Sequence, residues 1–197
     1  MPVDYRFKPK QSKHDFGWYG RGSLPHLDAE QTEQFITFRL ADSVPKSVLE
    51  SFREKSSSEA AFRRRVEKYL DVGHGECVFR IAEVAKIVRD SIFFYAGKRY
   101  RLVAWVIMPN HVHMLIVLLP GEHLPMIMHS IKSFTANEIN RRLGRGGQLW
   151  QHESFDRYIR NWRHHDATLR YIEQNPVKAR LCAQPEDWEF SSAFGRE

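Results

Sequence analysis

The chain is poor in cysteine, holds no long apolar run and shows neither an internal repeat nor a low-complexity tract. Each lack excludes something. Its 197 residues include two cysteines, Cys77 and Cys182, far apart and in no ligand spacing. That rules against a disulfide-stapled scaffold and against a zinc finger. The apolar stretches are too short and too often interrupted to cross a bilayer. Met1-Pro2-Val3-Asp4-Tyr5 does not open a signal peptide. A cytoplasmic protein with no membrane partner is therefore expected.

What is present suits one globular domain. Hydrophobic residues make up 42% and aromatics 13%, too much for a disordered chain. The formal charge is +6, and it is gathered in two places. Residues 1–23 carry five Lys/Arg against two acids, and residues 132–180 carry ten against five. Concentrated basic excess fits a polyanion, nucleic acid first, although a solvated basic surface reads the same way.

Residues 1–29 are polar and glycine-dotted, with Phe16, Trp18 and Tyr19, and read as an extended arm instead of a regular element. Residues 30–197 read as one domain with a helical insertion at about 45–95, in which no chemistry is legible. Gln34–Leu40 alternates as a first strand. Helices follow from Pro45 to Lys55, Glu59 to Leu70 and Arg80 to Phe94. Strands Tyr100–Met108 and His111–Leu119 are joined by Pro109-Asn110, so they are antiparallel neighbours, expected at the centre of a sheet. A helix from Leu124 to Leu143 places Leu124, Ile127, Ile131, Phe134 and Thr135 on its apolar side. Gln148–Trp150 and Phe155–Ile159 are short strand candidates. Asp166 is the expected N-cap of a last helix, Ala167 to about Asn175, ended or kinked by Pro176.

The chemistry concentrates at His111-Val112-His113, which enters the apolar run Met114–Leu119. Alternate strand residues share a face, so both imidazoles can offer a nitrogen to one cation. A His-x-His pair alone is more often structural. Its companion is Tyr171-Ile172-Glu173-Gln174-Asn175, where Tyr171 and Asn175 stack on one helix face and Leu169 and Ile172 can pack against a sheet. Two neutral imidazoles and one oxygen donor leave coordination positions open, which suits Mn²⁺ or Mg²⁺.

Several segments resemble a known family. Trp105–His113, Leu149-Trp150-Gln151 with Phe155-Asp156-Arg157, and Tyr171–Ala179 are similar to the REP-associated tyrosine transposases, within the single-tyrosine HUH endonucleases and IS200-like transposases. Leu24-Pro25-His26 and Phe35–Ser43 resemble the family's amino-terminal pattern, so the likeness spans most of the chain.

The resemblance implies an α/β (α+β) fold of HUH-endonuclease type, a ferredoxin-like antiparallel sheet backed by helices. It implies catalysis by His111, His113 and Tyr171, with Tyr171 as nucleophile. It implies a divalent metal, Mg²⁺ or Mn²⁺, on His111, His113 and Asn175. The implied substrate is single-stranded DNA with a short hairpin, cleaved and rejoined through a covalent 5′-phosphotyrosine. Lys132, Arg157, Arg160, Lys178 and Arg21 are candidate phosphate grips, and Trp18 and Tyr19 could stack on unpaired bases. Tyr158 is the rival nucleophile but lacks an oxygen partner one helical turn on. Two other functions fit the residues: a hairpin DNA or RNA binder that no longer cuts, and a metal-dependent phosphodiesterase using water. A monomer or dimer is expected.

Overall fold

The strand residues Glu33–Phe38 and His111–Leu118 are buried throughout, and the sheet they build organises everything else. In the computed structural model the backbone is described for residues 17–21 and 24–28, and the whole structure for residues 32–196. Strands β1 (Gly17–Arg21) and β2 (Leu24–Asp28) pair as an antiparallel hairpin. The amino-terminal arm is thus a regular element over these residues, contrary to expectation. The hairpin's side chains, Trp18, Tyr19 and Arg21 among them, lie outside the described residues.

The main sheet has strands β3 (Glu33–Arg39), β4 (Tyr100–Met108), β5 (His111–Leu118) and β6 (Phe155–Tyr158) in the order β4-β5-β3-β6, every neighbouring pair antiparallel. The helices are α1 (Lys46–Glu54), α2 (Glu59–Asp71), α3 (Ala82–Tyr95), α4 (Leu124–Arg142) and α5 (Trp162–Lys178). Ignoring α1 and α2, the main-sheet order of events is strand–helix–strand–strand–helix–strand, which is the ferredoxin-like arrangement. Strand β5 is central as expected, but β4 is an edge. That edge is covered by the chain's end: Ile107 N–H donates to Phe190 O at 2.8 Å, and Ser192 N–H to Trp105 O at 2.9 Å. Trp188 Nε1 donates to Ile107 O at 3.1 Å. An edge strand shielded this way can be as apolar as a central one, so β4 read as central from its sequence.

The two faces of the sheet have separate cores. On one, Ile36, Phe38, Ile107, Val112, Met114 and Ile116 pack against Val84, Val88 and Ile92 of α3 and Ile127, Ile131 and Ile139 of α4. On the other, Phe35, Val106, Met108 and Leu115 pack against Ile172 of α5, with Leu169 and Tyr171 alongside. The helical stretch 45–95 therefore divides. Helix α3 is part of the first core, whereas α1 buries no residue and α2 buries only Leu70. Phe134, expected inside α4, is half exposed at 52%. It lies at the edge of the buried stripe formed by Leu124, Ile127, Met128, Ile131, Thr135 and Ile139.

Helix α5 begins five residues before its expected start. Asn161 is its cap, with Oδ1 accepting from His164 N–H at 2.9 Å, and Asp166 lies within the helix. The first turn, Trp162-Arg163-His164-His165, has no apolar periodicity to reveal it. Pro176 does not end the helix, which runs to Lys178. Its missing N–H falls in the last turn, where one lost bond is all the ring costs the ladder. His165 meets the buried carboxylate of Glu33, Nδ1 to Oε2 at 2.8 Å.

Candidate active site

The register of the sheet assembles the site. Thr37 pairs with His113 and Arg39 with His111 across β3 and β5, and Phe35 stands two residues before Thr37 on the same face. Helix α5 crosses that face, so its inward side chains Thr168, Ile172 and Asn175 arrive beneath β4 and β5. Both imidazoles are fully buried. Their Nε2 atoms face one another at 3.1 Å. His111 Nδ1–H donates to Asn110 Oδ1 at 2.7 Å, and Asn110 Nδ2 in turn donates to His74 O at 2.9 Å. That fixes the tautomer of His111 and leaves its Nε2 with a lone pair. His113 Nδ1 lies 2.8 Å from Thr37 Oγ1, a hydroxyl that can donate or accept. His113 can therefore share its proton across the ring pair, or release Nε2 by moving the proton to Nδ1 without displacing the ring.

Tyr171 joins this pair as the spacing predicts. Its ring centroid is 5.3 Å from that of His113, and Phe35 stacks on His113 at 5.3 Å while meeting Tyr171 edge-on at 5.9 Å. The Tyr171 hydroxyl is buried and has no hydrogen-bond partner among the described residues. Both amide atoms of fully buried Asn175, one helical turn on, are equally without a partner. Unsatisfied buried groups are costly and cluster where a ligand completes them. Tyr158 is ruled out by register: it pairs with Gln34, so it belongs to the opposite face from Phe35 and Thr37.

Burial decides the protonation states. It lowers His111 to about 3, and His113 well below its usual value, with the neighbouring His111 and Lys178 acting in the same direction. Both rings are neutral near pH 7 and can act as ligands. Burial likewise pushes the Tyr171 phenol up, helped by the carboxylates of Glu67 and Asp71 and opposed by the nearby Asn175 amide and the Arg157 guanidinium. Glu67 and Asp71 come from α2 and are themselves raised by burial, Asp71 to about 6. An acidic pair on one helical turn thus covers the phenol, a feature that i, i+4 spacing alone could have flagged but that nothing tied to Tyr171. Thr37, Asn110 and Arg39 were also missed.

Four donor atoms would suit a divalent cation. Donors at right angles around an octahedral ion, about 2.1 Å from it, stand about 3.0 Å apart; the two Nε2 atoms are 3.1 Å apart. The orphaned Asn175 Oδ1 supplies an oxygen and the Tyr171 hydroxyl another. No group of three or more His, Cys, Asp or Glu residues among the described ones could hold a metal.

The expected phosphate grips divide. Lys178 is exposed, its Nζ 4.8 Å from the Tyr171 ring centroid, and Arg157 is exposed and close enough for its charge to act on that phenol. Arg160 is exposed, with its guanidinium 5.6 Å from the Tyr158 ring. Lys132 turns inward: its Nζ donates to Gln151 O at 3.0 Å and His152 O at 3.1 Å, and burial lowers it to about 8, with Arg39 adding to the shift.

A ferredoxin-like sheet carries paired histidines opposite a helix-borne tyrosine. Residues 80–175, from the segment before α3 through Asn175, match the family model for IS200-like transposases. More particularly, the chain is similar to the REP-associated tyrosine transposase of Escherichia coli (strain K12), at 29% identity over 113 residues. That match takes in 55% of this chain and 59% of the relative's length. The structure of a REP-associated tyrosine transposase bound to a REP hairpin aligns with 87% of this chain and 82% of that one, with a TM-score of 0.57 and 20% identity, a likeness of fold. No helix of the described residues is long and apolar enough to cross a membrane.

Proposed function

We propose that the protein is a transposase that nicks and rejoins single-stranded DNA beside a short hairpin, with Tyr171 as the attacking group. One observation carries the reading: the Tyr171 ring packs on His113 of a neutral, preorganised histidine pair, and its buried hydroxyl and the Asn175 amide one helical turn on are without a partner among the described residues. His111, His113 and Asn175 would hold Mg²⁺ or Mn²⁺. Such a cation would withdraw charge from a non-bridging phosphate oxygen and favour the ionised phenol.

The chain's own residues do the rest. Asn110 and Thr37 hold the imidazoles in orientation, and Phe35 fixes the His113 and Tyr171 rings against each other. Tyr171 gives up its proton and its oxygen attacks phosphorus in line with the bond to the 3′-oxygen. The new tyrosine–phosphorus bond replaces that one, and the 3′-oxygen leaves as a hydroxyl after taking a proton. Because one phosphodiester is exchanged for another, a 3′-hydroxyl from a second strand end can reverse the step without ATP. Arg157 and Lys178, exposed beside the phenol, are suited to the flanking phosphates.

The test is to incubate the protein with Mn²⁺ or Mg²⁺ and labelled hairpin oligonucleotides bearing unpaired tails, then look for an adduct on a denaturing gel. A covalent adduct lost in Tyr171→Phe is expected. Cleavage without an adduct would favour the water-using phosphodiesterase. Tight hairpin binding that ignores chelator, with no cleavage, would favour the binding module.

A further inference from the structure

Beside the reactive centre, α1 and α2 stand off the sheet and leave an open groove of about 470 Å³. Its floor is Thr37, Arg39 and Phe155, and its far wall includes Leu49, Phe62 and Val66. Thr37 belongs to both places, since its hydroxyl bonds His113. The walls α1 and α2 lie outside residues 80–175, the span that matches the IS200-like family model.

Three properties identify what the groove takes. Most of its lining is apolar, which does not suit a bare phosphate. Its charges are balanced: Lys46 pairs with Glu50 at 3.8 Å, Arg63 and Arg53 with Glu59 at 3.2 and 3.7 Å, and Arg39 feels Glu153. It also offers flat π surfaces, the Arg53 guanidinium 4.4 Å from the Phe62 centroid and that of Arg63 3.9 Å from the Phe155 centroid. Unpaired bases are recognised by stacking on aromatic rings and guanidinium planes, with polar groups reading their edges. The volume falls within the range of small-ligand sites, roughly 300–1,000 Å³. It is far too small for a duplex.

We infer that this groove is a nucleobase pocket: it takes one unpaired base of the substrate strand next to the phosphate at Tyr171 and thereby sets where the strand is cut. The inference rests on the proposed DNA-nicking function and adds a specificity site to it. Arg39, partly buried and hydrogen-bonded to Ser43 Oγ at 3.2 Å, keeps guanidinium hydrogens for the base edge. The base's removal from its strand stack is offset by stacking on the α2 wall.

The test uses Tyr171→Phe protein, which cannot cleave, and fluorescein-labelled hairpin oligonucleotides whose unpaired tails carry one abasic position each. Fluorescence anisotropy is expected to find one tail position where loss of the base weakens binding by about tenfold, within the roughly 5- to 150-fold range for a stacked base. Filling the groove with Val66→Trp, or separately Leu49→Trp, is expected to abolish the difference between abasic and intact DNA at that position. Thermal melts establish that each variant is folded. If the abasic penalty persists undiminished in both folded variants, or no tail position shows one, the pocket assignment is wrong while hairpin binding stands. If no hairpin oligonucleotide binds and wild-type protein forms no adduct, the functional reading fails and the pocket fails with it.

Discussion

Replacing Asn175 by leucine should make the metal-free protein more stable and functionally dead. Asn175 is fully buried and neither amide atom has a partner among the described residues. An unsatisfied buried polar group costs about 1–3 kcal/mol, and an apolar side chain of similar shape removes that penalty. Taking about 2 kcal/mol, and about 2–4 °C per kcal/mol for a chain of this size, Asn175→Leu should melt about 6 °C higher. Mn²⁺ at a hundred times its dissociation constant should add about 2.7 kcal/mol to the native protein and little to the variant. Differential scanning fluorimetry with and without Mn²⁺ gives both numbers in one experiment. A lower melting temperature for Asn175→Leu would mean that the amide is satisfied in the native state. Equal Mn²⁺ stabilisation of both proteins would mean that Asn175 is no ligand.

Further outcomes follow from other parts of the site. The His111 imidazole should stay neutral to below pH 5 by NMR titration, and His113 should titrate well below its usual range. Since the unfolded chain protonates near pH 6.5, burial of His111 should cost about 1.4 kcal/mol of stability per pH unit as pH falls from 6.5 towards 3. Asp71, raised to about 6, acts oppositely between about 6 and 4, so Asp71→Asn should steepen the acid loss seen in urea melts. Lys132→Met should lower stability by about 1–3 kcal/mol, because two carbonyls lose their donor, and should leave the salt dependence of DNA binding unchanged. Arg157→Ala and Lys178→Ala should each reduce the salt slope of DNA binding by about one, read from anisotropy titrations. Unchanged slopes would remove these residues from the interface.

Much of this was legible before any coordinates. Period-2 alternation located β3, the apolar run from His111 to Leu119 located β5, and the Pro109-Asn110 turn made β4 and β5 neighbours, with the His-x-His spacing placing His111 and His113 on one face. The i, i+4 relation of Tyr171 and Asn175 is local and survived intact. What failed was non-local. Nothing in the composition of β4 says that residues 190–192 will cover it. The first turn of α5 has no apolar stripe, so its start was placed too late. Lys132 looked like a phosphate grip because sequence shows a charge and not the carbonyls it turns toward. Glu67 and Asp71 are separated from Tyr171 by a hundred residues, and only the tertiary placement of α2 brings their charges to the phenol.

The central claim is that Tyr171 becomes covalently attached to DNA, and peptide mapping tests it most directly. After reaction with hairpin DNA and Mn²⁺, nuclease trimming and tryptic digestion, tandem mass spectrometry should find one nucleotide-modified peptide with the phosphate on Tyr171. A modification on Tyr158 or any other residue, or cleaved DNA with every tyrosine unmodified, would contradict it.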